Sequence, residues 1–202
     1  MGVATLNLGE RIAASQGLGP ATPVFSSHNG LDYGGVLFML SALKAQGLFT
    51  FKDTHQLKPG YYDLQAILLK LAFMALCRIK NPEQLKQCKP GELGRLIGLD
   101  RIPEMKCLRS KIAELSSQQK MEDLSEQLTK QWITVNEDDI VLYADGHVRI
   151  YNGYQAKLTA KYVSRQKQCL SATTEFWVND AYGLPLMVCA GELSERSACN
   201  MQ

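Results

Sequence analysis

Residues 141–153 read VLYADGHVRIYNG, and the fold of the second half of the chain turns on Asp145-Gly146 at its centre. The flanking runs, IVLYA and HVRIY, have β-type composition. Asp-Gly between two such runs is the strongest short-range signal for a two-residue hairpin, whose central residues need positive φ. Pattern alone therefore favours Asp145 as a hairpin corner. A second reading places Asp145 on a rigid strand, its carboxylate facing a cleft. Hard carboxylate oxygens suit Mg²⁺, and a pair of such ions can activate water or a 3′-hydroxyl and stabilise the leaving oxygen of a phosphodiester. That chemistry needs at least two more acids from distant positions.

Candidate partners are few. Asp180 sits in NDAYG, which is good turn chemistry. Glu175 lies within its expected strand and can face either side. Glu192 and Glu195 fall in a C-terminal stretch with little core-forming signal. His147 alternates with Asp145 and shares its face if the strand is continuous; a lone strand histidine is more often structural. No pair of acids stands out.

Outward from this stretch, composition sets the class. The chain has 202 residues, 46 % hydrophobic and 21 % charged, with net charge +2. That describes a soluble globular protein whose charge distribution matters more than its total. The six cysteines, Cys77, Cys88, Cys107, Cys169, Cys189 and Cys199, have no CxxC spacing and no histidine at zinc-ligand distance. We expect them reduced and mostly buried, in a cytoplasmic protein. LQAILLKLAFMALC at 64–77 is too short and too interrupted, by Gln65 and Lys70, for a membrane span. A buried core helix is expected there.

Residues 1–30 are rich in Gly, Ser, Ala and Pro without sustained period, and predict a flexible tail. Residues 31–136 read as helical. One helix covers Val36 to Ala45 and ends near Gly47, the strongest covers about 61–79, and Asn81-Pro82 caps another. Pro90 and Pro103 suit first helical turns, and Met121, Leu124, Leu128 and Trp132 mark an amphipathic helix. Within GELGRLIGLDRIPEMKCLRSKI, residues 91–112, two short helices joined by a Gly-containing turn match a helix-turn-helix outline, though many helix hairpins do the same. Its second helix offers Lys106, Arg109 and Lys111 to phosphates or base edges. Residues 137–202 turn to β-type runs, TTEFWVND and PLMVCAG following the two already named. Helices first and strands after imply an α+β chain. Between the strand pairs lies a basic loop with Lys157, Lys161, Arg165 and Lys167, and with Tyr154 and Tyr162 nearby. Cations interleaved with aromatics suit phosphate neutralisation and base stacking, as well as a plain solvated loop.

Taken in order, LAFMALCRIKNPEQLKQCKPGELGRLIGLDRIPEMKCLRSKI, VLYADGHVRIYNG and KLTAKYVSRQKQCLSATTEFWVNDAYGLPLMV resemble bacterial insertion-sequence transposases of the DDE type, over about residues 30–190. The resemblance implies a helical DNA-binding region at 31–136. It implies that 137–202 form the first antiparallel strands of an RNase H-like domain. LYADGH would be its first core strand and Asp145 the first catalytic acid and metal ligand, with Mg²⁺ or Mn²⁺ as cofactor. The second and third acids belong to later elements, so the chain resembles a C-terminally truncated, catalytically incomplete member that does not bind the ion productively. Its implied partners are DNA carrying terminal inverted repeats and, through an uncovered sheet edge and apolar face, further copies of itself. A non-catalytic DNA-binding module and an inactive product of a decaying element are the alternatives.

Overall fold

The computed structural model describes residues 7–133, 141–153 and 156–191. The chain falls into two compact units, Met1–Leu124 and Ser125–Gln202. The first is helical and the second carries an antiparallel sheet, an α+β architecture. The division lies inside one helix rather than in the 136–137 region where composition changes.

In the helical unit, α1 (Leu8–Ser15), α2 (Leu40–Ala45), α3 (Phe51–Thr54), α4 (Leu64–Leu76), α5 (Pro90–Leu96) and α6 (Met105–Ser116) precede α7 (Met121–Trp132), which runs across the division. Helix α4 is the axis of the core. Asp63 starts it by accepting a hydrogen bond from the Ala66 amide at 2.7 Å. Ile67, Leu69, Phe73 and Met74 are buried against Leu85, Leu93, Leu96, Leu108 and Leu115. Each such side chain contributes about 1.5–3 kcal/mol of transfer free energy. Lys70 is buried with them, 2 % exposed. Desolvation by this apolar surrounding pulls its ammonium down to about 8.

Part of the expected tail is structured. Glycine and proline mask a short helix, α1, whose Arg11 reaches Asp100 at 2.6 Å. The chain after it lies along the core: Ala21 is buried and donates its amide to the Tyr61 carbonyl, and the Val24 amide donates to Gly98. The helix read over 36–45 is a 3₁₀ segment, Gly34–Met39, followed by α2, and Gly47 (φ 84°) ends it. Pro90 opens α5 as expected, whereas Pro103 precedes the first turn of α6, which starts at Met105. The cysteines expected to be mostly buried are not: Cys77, Cys88 and Cys107 are half-buried and Cys169 and Cys189 exposed, all as free thiols. Cys199 lies outside the described residues.

The sheet unit contains β1 (Tyr143–Ile150), β2 (Ala160–Val163), β3 (Gln168–Asn179) and β4 (Pro185–Gly191). β3 is central. β1 pairs antiparallel with its residues 172–179, β2 with 168–171, and β4 with its C-terminal half. Thr129 of α7 donates its hydroxyl to the Leu186 carbonyl at 2.7 Å, tying the end of that helix to β4.

Asp145-Gly146 is not a hairpin corner. Asp145 pairs with Trp177 and Gly146 with Phe176, in the middle of an unbroken eight-residue register. The twelve-residue strand β3 supplies a partner for every residue of β1, and that outweighs the local turn preference. The glycine has a packing role: a Cβ there would lie 3.3 Å from Phe176 Cε1, so the ring takes the space a side chain would fill. The stretch 157–167, read as a loop, instead contains β2 and the turn into β3.

Candidate functional site

Side chains alternate across a strand, and directly paired residues share a face. Tyr143, Asp145, His147 and Arg149 therefore lie on one face with Asn179, Trp177, Glu175 and Thr173 opposite them. The other face carries Ala144, Gly146, Val148 and Ile150 over Val178, Phe176, Thr174 and Ala172. The first face is polar along β1, and both Asp145 and His147 are exposed.

Glu175 is the acid whose side the sequence left open. The register puts it opposite His147, diagonal to Asp145 and on the same face. Its carboxylate accepts from Arg149 Nε at 2.8 Å and is only 12 % exposed. Asp180 is a turn residue: its Oδ1 accepts the amides of Tyr182 at 2.9 Å and Leu184 at 2.7 Å. Glu192 and Glu195 lie outside the described residues. Among the described residues no three His, Cys, Asp or Glu side chains come together. Asp145 therefore has no complete three-ligand cage among the described residues.

The helix pair at 91–112 is built around two glycines. α5 ends in a Schellman arrangement, with Gly98 at φ 73° and the amides of Gly98 and Leu99 donating to Arg95 at 3.1 Å and Gly94 at 3.0 Å. Gly94 touches the backbone of Arg101, and no side chain fits between them. The connecting segment is thus part of the core, with Leu99, Ile102 and Pro103 buried. This fixes where α6 starts.

Leu108 and Leu115 anchor α6, and Lys106, Arg109, Ser110 and Ala113 are exposed on it. Lys106 and Arg109 differ in their partners: Arg109 forms a surface ion pair with Glu83. Lys111 is turned inward. Its ammonium donates to the Lys58 carbonyl at 3.1 Å and to Glu114 at 3.3 Å, with the side chain 15 % exposed.

The basic stretch forms a β-ribbon. Arg165 and Lys167 sit exposed at the tip between β2 and β3, Lys157 is exposed ahead of β2, and Lys161 is half-buried within it. Lys167 takes φ 51° to close the turn, and the Gln166 amide donates to the Val163 carbonyl at 3.0 Å. Tyr162 is 60 % exposed; Tyr154 lies outside the described residues. From Ala156 to Thr174 there is no acidic residue, so nothing within the ribbon neutralises these cations.

Sequence reasoning did not single out Arg149 as the partner of Glu175, nor Lys70. An Arg and a Glu 26 positions apart carry no local signal until the register is known. Lys70 did carry one, since it interrupts the most apolar run of the chain.

No helix among the described residues is long and apolar enough to cross a membrane. A family model described as "Transposase protein" matches residues 2–199. No curated protein and no solved structure matches the chain.

Proposed function

Because the chain belongs to this transposase family, matched across residues 2–199, we propose that it engages the DNA of a mobile element through two basic elements, α6 and the β2–β3 ribbon. The ribbon carries this reading. Arg165 and Lys167 at its tip, with Lys157 and Lys161 behind them, form a cationic strand pair with an exposed tyrosine. A two-stranded ribbon fits the major groove, and such cations displace counterions from phosphates. On α6, Lys106 and Arg109 are exposed together with Ser110 and Ala113, small enough to let the helix approach a groove. Lys111 holds the segment around Lys58 in place. Terminal inverted repeats are the proposed target.

The parental reaction of the DDE, RNase H-like reading is Mg²⁺-dependent strand cleavage and transfer, with Asp145 as the first metal ligand. Its position in mid-strand on a polar face supports that role. Among the described residues no three potential ligands gather, and the proposed activity of this chain is DNA binding without strand transfer.

The test is fluorescence anisotropy with terminal-repeat DNA over a salt series, alongside a strand-transfer assay with Mg²⁺ or Mn²⁺. Expected are a logarithmic salt slope of several units and no joined product. A flat salt response removes the DNA reading. Joined product that disappears in Asp145→Ala removes the claim of incompleteness and leaves the metal-ligand role standing.

A further inference from the structure

β1 has two backbone sides. The Tyr151 amide donates to the Ser171 carbonyl at 2.8 Å, in line with the ladder that pairs Ile150 with Ala172. Odd-numbered residues therefore direct their amides and carbonyls to β3. Ala144, Gly146, Val148 and Ile150 direct theirs the opposite way. Among the described residues no strand pairs with that side. YADGHVRI holds no proline and no lysine, and the sheet's register irregularity lies between Val178 and Asn179, away from β1. Leu142 and Tyr143 at its start are 52 % and 58 % exposed.

We propose that the occupant of this edge is β1 of a second copy of the chain, antiparallel, with the two-fold axis at Gly146. This rests on the sheet register and on the side chains it would oppose, and stands independently of the DNA-binding reading. An axis at Gly146 sets Asp145 opposite the partner's His147 and Tyr143 opposite the partner's Arg149. On the other face it sets Ala144 opposite the partner's Val148 and Leu142 opposite the partner's Ile150. Symmetry makes every pair twice. Acid meets imidazole, cation meets aromatic ring, and aliphatic meets aliphatic. An axis at Asp145 would oppose two carboxylates. An axis at His147 would oppose two imidazoles and set Leu142 against the partner's Asn152. An axis between residues would place polar side chains over the apolar face.

The experiment measures the mass of the full chain in solution by sedimentation over a concentration series, with three variants. The wild-type chain is expected to dimerise. Val148→Pro removes an outward amide without touching the ladder to β3, and is expected to give a monomer with an unchanged circular dichroism spectrum. His147→Asp places two acids opposite each other, twice, and is expected to weaken the dimer about tenfold. The exchange Asp145→His with His147→Asp restores the complementary pairs only when the axis lies at Gly146, and is expected to recover the wild-type association. A monomeric wild-type chain, a dimer indifferent to folded Val148→Pro, or an exchange variant as weak as His147→Asp each overturns the proposal.

Discussion

Gly146 lies beneath the ring of Phe176, its direct partner across the β1–β3 ladder. The edge of that ring stands 3.3 Å from where a Cβ would be. A methyl group asks the ring for a few tenths of an ångström, while a branched side chain asks for a new rotamer. Gly146→Val should lower stability by about 1–2 kcal/mol, with Gly146→Ala close to neutral. Chemical denaturation of the two variants checks this. Equal midpoints for both would mean that the ring does not cover the glycine.

Lys70 makes a pH-dependent statement. Its ammonium, ordinarily near 10.5, titrates near 8 in the folded chain because burial penalises the charge. The unfolded chain thus binds this proton more readily, and stability contributed by the site rises with pH between about 8 and 10.5. Below that window the penalty is complete. Lys70→Met should stabilise the protein by about 2 kcal/mol at pH 7 and by much less near pH 10.5. Thermal denaturation of both chains at the two pH values measures it. A gain that is the same at both would show that charge burial is not its source.

The carboxylate of Asp100 is held from two sides. Arg11 reaches Oδ2 at 2.6 Å and the Tyr61 hydroxyl donates to Oδ1 at 2.8 Å, while the guanidinium stacks 4.1 Å above the Tyr61 ring. Asp100 is 5 % exposed. Arg11→Ala leaves that charge under-paired, at a cost of about 2–3 kcal/mol. Arg11→Ala with Asp100→Asn should recover part of the loss. A double variant as unstable as the sum of the two single variants would argue against coupling.

Two lysines on α6 should separate by phenotype. Lys106 is exposed, whereas Lys111 donates to the Lys58 carbonyl. Lys106→Ala should reduce the salt slope of DNA binding by about 1 and leave the melting temperature alone. Lys111→Ala should lower the melting temperature. Anisotropy over a salt series, read beside calorimetry, distinguishes them, and reversed effects would place the DNA contact on the other side of α6.

The elements legible in the sequence were those whose signal is local. The apolar run 64–77 announced α4, and Met121, Leu124, Leu128 and Trp132 span α7 from end to end. Asp180 behaved as its turn chemistry suggested. What escaped was decided at a distance. Asp145-Gly146 carried a good turn signal and still runs straight, because eight consecutive residues of β3 accept it. The side on which Glu175 falls depends on that same pairing, and so does its bond to Arg149. α1 was hidden among glycines because its anchors, Asp100 and the core beneath Ala14, are supplied by other parts of the chain or by packing. The inward turn of Lys111 depends on a carbonyl 53 positions earlier.

The tip of the β2–β3 ribbon crowds Arg165 and Lys167 into one tight bend, and holds Lys167 in a left-handed conformation that an ordinary side chain adopts at a cost. Mutual repulsion works against closing that bend in dilute salt. A polyanion lying across it, as proposed for DNA, would remove the repulsion and so stiffen the hairpin. On the DNA-binding proposal, ordering of the tip and capture of its ligand would be a single event.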